Sequence, residues 1–217
     1  MIVDLVINQK KILVIGGGRE ALKRIRSMIK EQCEIIIISE TISEQIKNIA
    51  KTKKIIIKKQ KITNLQFIAE YKPDIIITTT DNKELNQKII NAARKRKILA
   101  YSSDNPENSD FSNPAIMDFE DTIKIAIFTG GSSPIIAKKI KEKSEKIFKK
   151  TITKEDIGQA KIHKKIRKVV KNVISSQKQR KRYMESIMKD NEIDQLIKDG
   201  KFKKAENRAI SMMRDWK

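Results

Sequence analysis

The first residues in this chain with a chemical reading are three consecutive glycines between a β-branched run and a helix-forming one. The stretch Ile12-Leu13-Val14-Ile15-Gly16-Gly17-Gly18-Arg19-Glu20-Ala21 satisfies the spacing G-x-G-x-x-A. In that pattern Gly16 permits the tight turn, Gly18 lets the backbone approach a pyrophosphate, and Ala21 allows the helix to pack close on the strand. The helix opening at Arg19 and Glu20 then presents free N–H groups to the phosphates. A glycine turn alone is weak, because α/β proteins that bind nothing there also use it, so its surroundings decide. An acid about 20 residues further on, at the end of the second strand, bonds the ribose hydroxyls in such sites. Ser39-Glu40-Thr41 stands at that distance, after Ile35–Ile38. A carboxylate at Glu40 repels a 2′-phosphate and so favours NAD over NADP. The bland reading of Glu40 is an acid at a helix start.

Three further clusters share the pattern of a buried strand running into polar residues. Ile75-Ile76-Ile77-Thr78-Thr79-Thr80-Asp81-Asn82 puts Thr79, Thr80 and Asp81 beyond a strand's carboxyl end, where ligands of open α/β sheets sit. Asp81 can equally cap the helix that starts near Lys83. Ser103-Asp104-Asn105-Pro106 follows the strand Ile98–Tyr101 and offers Asp104 as a carboxylate able to take a proton, or as a turn residue bonding its own backbone. Ile125-Ala126-Ile127-Phe128-Thr129-Gly130-Gly131-Ser132-Ser133-Pro134 ends in a glycine pair and hydroxyls just before a helix, a place for an anion.

The elements that must position these groups are short. Runs at Lys11–Ile15, Ile35–Ile38, Ile55–Lys58, Ile75–Thr79 and Ile98–Tyr101 alternate with amphipathic stretches at Ala21–Lys30, Ile42–Ala50, Leu65–Ala69 and Leu85–Lys95. Unbroken Ile and Val runs fit strands covered on both faces, which predicts a parallel sheet in a doubly wound α/β domain. After Ala100 the pattern changes to loops rich in Pro, Ser, Asn and Asp, with one strand at Ile123–Phe128, and then to helices. Ile135, Ile136, Ile140, Ile147 and Phe148 form an apolar stripe among lysines. Gly158 and Gly200 read as the later helix breakers. The expected division is a dinucleotide-binding domain over 1–112, a segment over 113–150, and a basic helical region over 151–217.

Lys and Arg total 48 against 27 Asp and Glu, a formal charge of +21 that concentrates anionic partners of some kind. The single Cys33 excludes an internal disulfide and a cysteine metal cage, and is expected to pack at the start of a strand. His163 lacks a second His or any Cys nearby, so no metal site is expected, and Trp216 reads as packing for the last helix. The opening residues lack a basic leader and no apolar run approaches the roughly 18–20 residues of a membrane span. A soluble, cytoplasmic protein is expected.

Taken in order, GGGREA, TTTDNKELN, SDNPENSDFSNPA and IAIFTGGSSPIIAKKIKEKSE resemble the precorrin-2 dehydrogenase family, which includes the N-terminal part of siroheme synthases and the yeast bifunctional dehydrogenase–chelatase. The resemblance covers roughly residues 1–150, and the TGGSSP loop is its most specific part. It implies a Rossmann domain, a central segment through which two chains dimerise, and a small helical C-terminal region. It implies NAD as the cofactor and a reaction in which precorrin-2 loses a hydride and a proton to give sirohydrochlorin, with iron inserted afterwards by some members. Asp104 matches the aspartate implicated in that chemistry, and Thr129 stands where bacterial siroheme synthases carry a serine. Thr129, Gly130, Gly131, Ser132 and Ser133 are then expected to hold the substrate, a polycarboxylate whose charge the basic surface complements. Departures are Glu20, where the family usually has valine, and Lys23-Arg24, where it has an Arg-Lys pair nearby.

A catalysis-free NAD-sensing module is the alternative, and it needs only the first motif. A nucleic-acid-binding role for Lys161–Arg182 is disfavoured, because Tyr183 alone supplies an aromatic there. The residues leave iron insertion open, with weak or absent chelatase activity expected.

Overall fold

The structure, a computed structural model, describes residues 2–214 and Trp216. The chain divides into two compact units, with the boundary between Asn113 and Pro114. In the first unit β1 (Lys11–Ile15), α1 (Arg19–Met28), β2 (Glu34–Ser39), α2 (Glu44–Ala50), β3 (Ile55–Lys59), α3 (Gln66–Tyr71), β4 (Ile75–Thr78), α4 (Lys83–Lys95) and β5 (Leu99–Ser102) alternate without exception. All five strands pair in parallel in the order β3-β2-β1-β4-β5.

Why Ile runs become strands here follows from the two cores. Side chains alternate across a strand, so Ile12 and Val14 point to one face, with Leu22, Ile25 and Ile46 of α1 and α2. Leu13 and Ile15 point to the other, with Phe67, Ile68, Ile89 and Ile90 of α3 and α4. Helices on both faces make Ile12–Ile15, Ile35–Ile38 and Ile75–Thr78 of the three central strands core positions, whereas no residue of the edge strand β3 is buried; each buried Ile contributes about 1.5–3 kcal/mol. Cys33 lies just before β2 and packs partly buried against the first core, where burial raises its thiol pKa.

The second unit opens with a hairpin that the sequence reading half missed. β6 (Ala115–Phe119) pairs antiparallel with β7 (Ile123–Ile127). Only β7 was expected; β6 follows Pro114 directly, and its turn uses Glu120 and Asp121 at positive φ of 53° and 52°, where Asn-Gly would have signalled a hairpin. Next come α5 (Pro134–Thr151), α6 (Lys154–Val173), α7 (Gln177–Met188), α8 (Asn191–Lys198) and α9 (Phe202–Arg214). Ile162, Ile166, Val170, Tyr183, Ile187, Ile193, Ile197 and Ala209 form the core of the last four.

Gly158 does not break a helix. It lies inside α6, where a Cβ would sit 2.4 Å from Ile197 Cγ2, so glycine there lets α8 approach. Gly200 does terminate one, at φ 72° just past α8. Tyr183 donates its hydroxyl proton to the Ala209 carbonyl, burial pushes its pKa up to about 12, and Trp216 meets its ring edge-on at 5.1 Å. Trp216 is packing, as expected.

Candidate active site

Parallel strands put all their carboxyl ends on one edge of the sheet. The strand order reverses direction between β1 and β4, the switch point at which open α/β sheets hold ligands. To this edge the fold brings Gly16–Gly18 after β1, Ser39–Thr41 at the end of β2, Thr79–Asp81 after β4, and Asp104 after β5. The β1 and β4 loops are joined directly, because Thr79 donates to the Ile15 carbonyl through both its N–H and its hydroxyl, each at 2.8 Å. The β1 and β2 loops are joined by Ser43 N–H donating to the Gly17 carbonyl at 3.0 Å.

The three glycines are required for different reasons. Gly16 has φ 111°, and a Cβ would lie 2.5 Å from Thr79 Oγ1. At Gly17 a Cβ would lie 2.1 Å from the Thr41 backbone oxygen, a constraint for which the G-x-G-x-x-A spacing gives no reason. At Gly18 a Cβ would meet nothing within 4 Å. Gly18 is also the N-cap of α1 and supplies no side-chain cap, so the orphan N–H groups of the first turn are left for a ligand. This open approach in front of a helix start fits a pyrophosphate. Ala21 is fully buried against β1, as the spacing predicts.

The side chains of Glu20 and Arg24 in α1 already have partners within the protein. Glu20 pairs with Lys23 at 2.5 Å and lies 4.0 Å from Arg24. Arg24 donates to the Tyr101 hydroxyl at 2.8 Å and covers its ring at 4.7 Å, and that ring stacks on Phe111 at 5.5 Å. Arg19 is exposed at the first position of α1.

Glu40, Thr41, Ile42, Lys47, Ile57 and Lys59 line a pocket of about 360 Å³ past β2. Its apolar wall and single acid fit an adenosine. Glu40 is 57% exposed and its nearest cation, Lys61, is 4.0 Å away, so its carboxylate is free to turn toward a ribose.

Asp104 is held by a network of buried polar groups. Its Oδ1 accepts from Asn86 Nδ2 at 2.8 Å and from Ser102 Oγ at 2.7 Å. Asn86 is 1% exposed; it also donates to the Thr80 carbonyl at 2.8 Å and accepts from Thr80 Oγ1 at 2.7 Å. Ser102 Oγ lies 3.1 Å from Thr78 Oγ1. Asp104 thus bonds side chains of β5 and α4 rather than its own backbone, and Oδ2 has no partner among the described residues. Asn86 is the residue that the sequence reading passed over, although it ends TTTDNKELN, because a polar residue at a helical core position carries no signal of its partner. Asp81 does not cap α4: Asn82 does, accepting from Leu85 N–H at 2.9 Å, which leaves Asp81 exposed at the edge.

In the second unit the loop before α5 turns through Gly130 and Gly131 at φ 65° and 82°. Thr129 Oγ1 donates to the Ser133 carbonyl at 3.1 Å and accepts from Ser133 N–H at 3.2 Å, while Ser133 Oγ caps Ile136 N–H at 3.2 Å. Two of the three hydroxyls shape the loop. Ser132 Oγ has no partner among the described residues.

A family model described as NAD(P)-binding matches residues 3–115. The chain belongs to this family. The siroheme synthase of Blochmanniella floridana is 30% identical over 206 residues, which cover 94% of this chain and 42% of that protein. The siroheme synthase of Nitrosomonas europaea is 31% identical over 152 residues, covering 67% of this chain and 30% of that protein. The chain therefore spans about two fifths or less of these curated relatives. Among solved structures, SirC, a precorrin-2 dehydrogenase, matches with a TM-score of 0.68 over 96% of this chain and 99% of its own, at 20% identity. The α/β fold with its helical appendage is thus that of a known structure, and the relatives bear the name to which the four motifs pointed.

Proposed function

We propose that this chain oxidises precorrin-2 to sirohydrochlorin with NAD. The observation that carries the reading is Asp104, anchored through one oxygen by Asn86 and Ser102 on the same sheet edge as an open glycine turn. The balance is one hydride and one proton leaving precorrin-2, giving NADH, a proton and sirohydrochlorin. When bound, the nicotinamide supplies the hydride acceptor.

The chain's own residues do the rest. Gly18 and the first-turn N–H groups of α1 hold the pyrophosphate, and Glu40 takes the ribose hydroxyls of NAD. Asp104 accepts the departing proton on Oδ2 while Asn86 and Ser102 fix the carboxylate's orientation. A positioned base of this kind contributes about 100- to 10,000-fold. The loop over Thr129, Gly130, Gly131, Ser132 and Ser133 receives a substrate carboxylate through Ser132 and the start of α5. Chelatase activity is expected to be weak or absent, the reading of a chain with one His and one Cys.

A homodimer completes the reading, with the α5 stripe as the covered face. Ile135 is 79% exposed and Ile147 65% exposed, a costly display of apolar surface on a lone chain. The test of the activity is incubation of the purified chain with precorrin-2 and NAD. NADH and sirohydrochlorin forming in equal amounts support it. NAD binding without turnover favours the cofactor-sensing alternative and overturns it.

A further inference from the structure

Ten of the 22 residues from Lys161 to Arg182 are Lys or Arg and none is acidic. Their charge is not evenly compensated. On one flank of α6 Lys161 pairs with Glu120 at 2.6 Å and Lys165 with Glu206 at 3.0 Å. On the flank that faces α7, Arg167 and Lys171 have no acidic partner among the described residues. Lys181 of α7 reaches Glu185 only at 3.8 Å, and Arg180 holds the turn between the helices by donating to the carbonyls of Ile174 at 2.8 Å and Ser175 at 2.7 Å.

Between these helices runs a groove of about 560 Å³ whose apolar floor includes Val170, Met184 and Met188, with four cations, Arg167, Lys171, Arg180 and Lys181, and one acid, Glu185, also lining it. Met188 is 59% exposed. His163, one turn before Arg167, also lines the groove, and its Nε2 is buried with no hydrogen-bond partner among the described residues. Buried polar atoms are rarely left so. Burial and the neighbouring Arg167 lower its pKa from the usual histidine value.

A strip of thioethers and methyls bordered by cations, two of them, Arg167 and Lys171, without an acidic partner among the described residues, matches a particular chemistry. A single-stranded nucleic acid would want aromatic platforms for its bases, and no Phe, Tyr or Trp lines the groove, whose one ring is the His163 imidazole. A second copy of the groove would bring like charges together. A ligand with an apolar body and several carboxylates satisfies both the floor and the border. We propose that the α6–α7 groove binds an amphipathic polycarboxylate and, resting on the precorrin-2 reading, that this ligand is the tetrapyrrole at a second site within the helical unit. Soft, adaptable methionines suit a flat macrocycle.

The test uses the full chain and uroporphyrin, a stable porphyrin polycarboxylate, titrated by fluorescence. Arg167→Gln with Lys171→Gln, and separately the exposed Met188→Glu, are each expected to weaken binding by about tenfold or more, about 1.4 kcal/mol, with the melting temperature, NAD affinity and precorrin-2 turnover unchanged. Porphyrin binding that is absent, or the same in these variants as in the parent chain, overturns the proposal while leaving the dehydrogenase reading intact. Groove-dependent binding in a chain that fails to oxidise precorrin-2 keeps the groove as a polycarboxylate site and removes the catalytic reading. If a short single-stranded RNA or anionic vesicles bind more tightly than porphyrin through the same residues, the assigned ligand class is wrong.

Discussion

Replacing Gly18 by Asp should separate cofactor binding from folding. The backbone of Gly18 is at φ −90°, ψ −158°, open to any L-residue, and a Cβ meets nothing within 4 Å. The position is the N-cap of α1 and lacks a side-chain cap. Asp is a preferred N-cap and its charge suits the helix dipole, so the apo chain should gain from a few tenths to about 1 kcal/mol. The same carboxylate stands where the pyrophosphate would lie. Two unit charges about 4 Å apart at an effective dielectric of about 20 repel by about 4 kcal/mol, roughly a thousandfold in affinity. Gly17→Ala should do the reverse. Its Cβ falls 2.1 Å from the Thr41 carbonyl oxygen, a backbone atom that cannot swing away, and overpacking of this kind costs about 1–3 kcal/mol. Thermal unfolding with and without NAD, together with calorimetric titration, reads both quantities. A Gly18→Asp chain that binds NAD within about threefold of the parent, or that unfolds at a markedly lower temperature, refutes the assignment of this turn to a pyrophosphate.

Glu40→Gln should relax the preference for NAD over NADP, because Lys59 in the same pocket can then attract a 2′-phosphate; competitive titration of the two cofactors decides, and a parent chain that already prefers NADP contradicts the ribose assignment. Asn86→Leu should cost about 1–3 kcal/mol by leaving the Thr80 carbonyl unpaired and should lower kcat by freeing Asp104, whereas unchanged kcat in a folded variant removes Asn86 from the positioning network. The His163 pKa lies below its ordinary 6.5 because of burial and Arg167. Its stabilising contribution is therefore complete above pH 6.5 and declines as pH falls from there toward the lowered value. His163→Gln should flatten that part of the stability profile, and an unaltered slope in urea titrations would contradict it. Ile135→Asp with Ile147→Asp should convert a dimer to a monomer in light scattering; a parent chain that is already monomeric rules out the α5 interface.

The sheet was legible because its residues are covered on both faces. Ile12–Ile15, Ile35–Ile38 and Ile75–Ile77 have no polar alternation to mislead, and their order with intervening helices leaves one sensible topology. The loops at the carboxyl edge were equally visible, since glycine and hydroxyl residues interrupt apolar runs abruptly. What lay outside the sequence were relations between distant positions. Gly17 is required by Thr41, Asn86 by Asp104 and Gly158 by Ile197, and none of these pairs has a local signature. The β6–β7 hairpin escaped for a related reason: Glu120 and Asp121 accept positive φ because the strands on either side pair, not because of their own preference.

Asp104 is the residue on which the proposed oxidation depends most directly. In a purified chain saturated with NAD, Asp104→Asn keeps the shape and the hydrogen bonding of Oδ1 yet cannot take a proton, so the measurement is kcat for precorrin-2 oxidation alongside the NAD dissociation constant. The expected result is a fall in kcat of about 100- to 10,000-fold with NAD affinity unchanged. Near-parental turnover in the folded, NAD-binding variant would contradict the account, because the proton would then leave without the carboxylate that Asn86 and Ser102 hold in place.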